Sequence, residues 1–90
     1  MILEVAATLV GYNVEFSYKG EKRKVLIQQA KACKNGKHVI IGLDLDAETK
    51  ALNSGAEIGS EAEFTRTFQL DKVQGVNVYE GGKYLLSYLS

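Results

Sequence analysis

The hydrophobic period of this chain changes once, at Asn13, and that change limits what it can fold into. Before it, Ile2, Leu3, Ala6, Leu9 and Val10 recur at the three- and four-residue spacing of a helix, and Gly11 can end that helix. After it, Val14, Phe16 and Tyr18 alternate with Glu15 and Ser17, the pattern of a half-buried strand. The spacing predicts a helix over residues 2–10 and a strand over 13–18. So short a helix is marginal alone and must pack on the strands that follow it.

The alternating pattern continues with interruptions. Lys19-Gly20-Glu21 reads as a turn, and 23–33 as one long strand or two short ones. Asn35-Gly36 suits a type I′ hairpin turn, in which both central residues take positive φ. The continuous apolar run over 37–43 predicts a strand buried on both faces. Residues 44–62 carry no strand pattern and form a long acidic connection, with one helical turn expected around Ala47 to Leu52 and the least order of any interior segment. Strands are expected again near 63–70 and 73–79. In the first of these, Phe64, Phe68 and Leu70 share a face with Arg66, opposite Thr65, Thr67 and Gln69. Glu80-Gly81-Gly82-Lys83 is a second tight turn, and Tyr84 to Leu89 fits a sixth strand better than a short isolated helix. One helix and five or six short, mostly hairpin-connected strands predict a mainly β domain, a small partly closed barrel.

Ninety residues make one domain, 1–90, with a modest core. Eleven basic and eleven acidic side chains cancel, which argues against strong non-specific binding to duplex DNA. The zero total hides a segregation. Residues 19–37 hold seven cations against Glu21, and residues 44–63 hold six acids against Lys50. A basic face of this kind attracts nucleotides or single-stranded nucleic acid. The acidic segment could also fold over that face and occupy it. Cys33 is the only cysteine, so an intramolecular disulfide is excluded and a buried free thiol is expected. No apolar run reaches membrane-spanning length, and the opening residues lack the pattern of a secretory signal. The expectation is a cytoplasmic domain with no membrane association.

Catalytic signatures are missing. No nucleophile elbow, phosphate loop, dinucleotide fingerprint or zinc helix occurs. His38 is the only histidine and opens an apolar strand. Asp44 and Asp46 put two carboxylates on one side of an extended chain without further ligands for a metal. The chain is therefore expected not to be an enzyme and to hold no metal or cofactor.

Three segments together resemble the WYL domain family over most of residues 1–79: the opening helix leading into VEFSYKG, the stretch KNGKHVIIGLD, and RTFQLDKVQGVNV. The last is similar to the family's Arg-x-Phe-Arg-Leu-Asp-Arg-Ile strand and is the most specific of the three. The departures are definite. His38, Val39 and Ile40 stand where the family has its three signature letters. The family's arginine early in the second strand falls on Lys24 or, with a one-residue shift, on Arg23, and a proline that often follows falls on Gln28. In the signature strand Arg66 and Asp71 are kept, while Gln69 and Lys72 replace arginines.

The resemblance implies an Sm-like barrel that senses a ligand in a regulatory setting, here divergent and stand-alone. It implies binding of an anionic small molecule, a nucleotide, or a short single-stranded nucleic acid. The implied site is Arg66 with Lys72 and Lys24 or Arg23, rimmed by Tyr18, His38 and Gln69. Asp71 is expected to fix the turn after the strand through its side chain. A second reading is a protein-interaction or homo-oligomerisation domain, including an inhibitor of a partner protein, using Tyr79, Tyr84 and Tyr88 or the acidic segment as the contact.

Overall fold

A computed structural model describes residues 1–55, 64–80 and 83–88, with Glu80 and 83–88 described as backbone only. Helix α1 (Leu3–Thr8) leads into β1 (Asn13–Tyr18), β2 (Glu21–Ala32) and β3 (His38–Asp44). Helix α2 (Leu45–Asn53) follows, then β4 (Thr65–Gln69), a single 3-10 turn (Leu70–Lys72), β5 (Val73–Glu80) and β6 (Lys83–Tyr88). All strand pairs are antiparallel, in the order β4-β3-β2-β1-β5-β6.

The sheet bends sharply because β2 and β5 each carry one extra residue. In β2, Ile27 faces Gly42 and Gln29 faces Ile41, which leaves Gln28 without a partner. In β5, Asn77 faces Glu15 and Gln74 faces Ser17, and Gly75 takes φ 63° there. A glycine in the left-handed region at a bulge increases local twist without a side-chain clash. Gly42 lets the bend close. A Cβ on it would sit 2.6 Å from the Leu26 carbonyl oxygen and against the Val25 side chain.

The bend turns the inner face of β1 toward that of β4. Phe68 packs edge-on against Phe16 (5.2 Å between ring centres) and Tyr18 (5.0 Å). Val14, Val25, Ile27, Ile40, Leu70, Val73, Val76 and Val78 complete the core, and Ala6 of α1 and Leu9 just after it close it. The barrel expected from sequence is corrected. The ladder is open, with β4 and β6 at its two edges. β6 adds to β5, and β4 meets β1 through side chains instead of a ladder.

Three local expectations change. The first helix is shorter than 2–10, because Gly11 at φ 93° and the bond from its N–H to the Ile27 carbonyl (2.8 Å) redirect the chain. The type I′ turn is not at Asn35-Gly36. There the Gly36 N–H closes a turn on the Cys33 carbonyl (3.0 Å), only Gly36 has positive φ (82°), and the Asn35 Oδ1 accepts from the Lys37 N–H (3.0 Å). That geometry is a type I turn followed by a glycine bulge. Lys19-Gly20 instead takes positive φ at both positions, 51° and 82°, between the paired Tyr18 and Glu21. Finally, residues 45–53 of the acidic connection are helical, because Asp44 caps them. The last segment is a strand, as expected. The rest of the connection, Glu63 at the start of the fourth strand, the Gly81-Gly82 turn and the side chains of Tyr84 and Tyr88 lie outside the described residues.

Candidate functional site

Strand alternation separates the residues expected to form one site. Arg23 follows the inward parity of Val25 and Ile27, and Lys24 lies on the outer face. On the outer face Lys24 lines a recess of about 290 Å³ with Asn13, Glu15, Leu45 and Tyr79. Beside it, Lys22 pairs loosely with Glu15 at 3.6 Å. The two strand-two alternatives expected at the site, Lys24 and Arg23, thus lie on opposite faces of β2.

Arg23 is held by acids of the chain itself. Its guanidinium lies 2.9 Å from Glu21 and 3.5 Å from Asp44. Asp44 is 3% exposed, and its other oxygen accepts from the Ala47 N–H at 3.1 Å, capping α2. The first acid of the acidic segment thus occupies an arginine of the basic one. Arg66 stands opposite Gly42, on the face of Phe68 as its parity predicts, but it is exposed. Its Nη1 donates to the Thr65 carbonyl at 3.0 Å.

Tyr18 and Gln69 meet just before the 3-10 turn that holds Lys72. The Gln69 N–H donates to the Tyr18 hydroxyl at 3.1 Å, and the Gln69 Oε1 is buried with no hydrogen-bond partner. Next to them lies a polar recess of about 460 Å³ lined by Ser17, Lys19, Gly20, Asp71, Lys72 and Gln74. Two lysines, a hydroxyl and an amide make it a set of donors suited to a phosphate or carboxylate.

Sequence reading passed over Lys19 as a turn residue. The signal in the sequence was the Lys-Gly pair between two strands of the right length to form a two-residue hairpin. A lysine in left-handed backbone costs about 1–2 kcal/mol relative to a glycine-like fit. Its ammonium lies 5.6 Å from the centre of the Tyr18 ring.

His38 is exposed and lies across the 3-10 turn from Lys72. It lines a second recess, about 390 Å³, with Ile2, Leu3, Lys37, Leu70 and Asp71. Asp71 borders both recesses. It is exposed, and Gln69, at the N-cap of its turn, makes no side-chain cap bond.

Among the described residues no group of three His, Cys, Asp or Glu is placed to hold a metal, and no helix is long and apolar enough to cross a membrane. Cys33 is free and half-buried rather than fully buried. Among the described residues the large exposed apolar side chains, Ile2, Val10 and Leu52, are scattered along the chain. Comparison with models of known protein families, with curated proteins and with solved structures finds no match.

Proposed function

We propose that this domain is a non-catalytic binding module for a phosphate-bearing ligand, a nucleotide or a short single-stranded nucleic acid, taken up at the recess beside the 3-10 turn. Lys19 and Lys72 grip the phosphate, with Ser17 and Gln74 as neutral hydrogen-bond donors. The observation that carries this reading is Lys19 itself. It occupies a left-handed position, φ 51°, where asparagine or glycine is cheaper. Strain of this kind accumulates where a side chain serves a purpose other than stability. Lys19 lines a recess that also holds a second lysine. Placement on the WYL-like, Sm-like plan is part of the same proposal. The N-terminal helix, the strand order β4-β3-β2-β1-β5 and the bent inner face support it.

The test is a titration of the protein with inorganic phosphate, a mononucleotide and a short single strand, followed by calorimetry, at two salt concentrations. Binding that weakens with salt and with Lys72→Ala is the expected result. No binding of any of the three overturns the proposal and leaves the protein-interaction reading.

A further inference from the structure

The two recesses on either side of the 3-10 turn differ in chemistry, and their order matches the order of parts in a nucleotide. The first is polar and cationic, with Lys19, Lys72, Ser17 and Gln74. The second mixes apolar side chains, Met1, Ile2 and Leu3, with the charged or polar Glu4, Lys37 and His38. Between them stands Asp71, exposed and shared by both. Ile2 is 62% exposed, a large apolar side chain left open to solvent beside the second recess.

We infer that the ligand is a ribonucleotide unit lying across the turn: phosphate on Lys19 and Lys72, ribose hydroxyls on Asp71, base over Ile2 and Leu3 beside His38. This rests on the binding reading above and goes beyond it by naming the sugar and the polarity. A carboxylate is acceptor-only and repels phosphate, so Asp71 is misplaced in a site that binds phosphate alone. It fits a site where hydroxyl donors lie next to the phosphate. The imidazole of His38 and the side chains of Ile2 and Leu3 give a base a flat partner and an apolar one. Both recesses are open surface depressions, about 460 and 390 Å³.

The experiment compares four probes on wild type and Asp71→Ala: inorganic phosphate, ribose 5-phosphate, AMP and 2′,3′-dideoxy-AMP. A short RNA and its DNA counterpart distinguish a free nucleotide from a chain end. Wild type binds AMP about tenfold more tightly than the dideoxy analogue, the order expected for charge-assisted hydrogen bonds at an exposed site. In Asp71→Ala that ratio falls to near one, and phosphate binding rises or holds. Ile2→Asn narrows the gap between AMP and ribose 5-phosphate without changing phosphate binding. Equal affinity of wild type for AMP and its dideoxy analogue overturns the inference, as does a ratio that survives Asp71→Ala. If phosphate and ribose 5-phosphate bind through Lys72 in that case, the binding proposal stands without the ribose. If no probe binds, both fail.

Discussion

The backbone N–H of Gln69 donates to the hydroxyl of Tyr18 across 3.1 Å, joining residues 51 apart in sequence. Their strands, β4 and β1, are separated in the sheet by β3 and β2. The bond and the Tyr18–Phe68 ring contact hold the open sheet in its bent form, where a closed barrel would use a strand ladder. The same bond places the 3-10 turn, and so Asp71 and Lys72, beside the turn that carries Lys19.

Tyr18→Phe keeps the ring and removes the acceptor. The expected loss is about 0.5–1.5 kcal/mol of stability, the net value of one hydrogen bond. Urea unfolding measures it. Amide exchange at Gln69 should speed up more than exchange at Ile40 in the core. Uniform change at both sites would show that the bond does not act locally.

Gly42→Ala should be more harmful than its size suggests. The added methyl meets the Leu26 backbone carbonyl, which cannot rotate away. Overpacking of this kind costs about 1–3 kcal/mol, readable as a drop in the urea midpoint. Gly20→Ala is the control for left-handed glycine, since its φ is 82° and no atom lies within 4 Å of its Cβ position.

Asp44→Ala removes the cap of α2 and one partner of Arg23 together. The cap alone is worth about 0.5–2 kcal/mol. Asp44→Asn retains a good capping side chain and loses only the charge, so it should be the milder of the two. Circular dichroism would follow α2, and equal effects of the two variants would show that the ion pair dominates.

Lys19→Asn separates stability from binding. Relief of left-handed strain gives back about 1–2 kcal/mol, and losing the contact over Tyr18 costs about 0.5–1. The variant should therefore be as stable or more so, by up to about 1.5 kcal/mol, and bind phosphate more weakly. Lower stability together with unchanged binding would remove Lys19 from the site.

Lys72→Ala should weaken mononucleotide binding about five- to tenfold, about 1–1.4 kcal/mol. Arg66→Ala should change it less than twofold, because Arg66 is not among the residues lining the polar recess. The reverse order in a calorimetric titration would move the site to the inner face.

Local pattern determined much of this protein before any packing was considered. The change of period at Asn13 places α1 and β1, and the alternation in β4 correctly puts Arg66 on the face of Phe68. Both follow from side-chain direction along a helix or strand, which is a property of neighbouring residues. The bulges at Gln28 and Gly75 are another matter, since they depend on how two strands match in register. They bend the sheet, set Tyr18 against Gln69, and leave β4 unpaired on one side. Which turn takes the type I′ form was likewise settled by the strands around it, as Lys19-Gly20 and Asn35-Gly36 show. Tertiary structure alone decided that Arg23 meets Asp44, that Lys24 faces away, and that Lys19 and Lys72 share a recess. Each of those relations joins residues distant in the chain, and sequence spacing carries no information about the bend that brings them together.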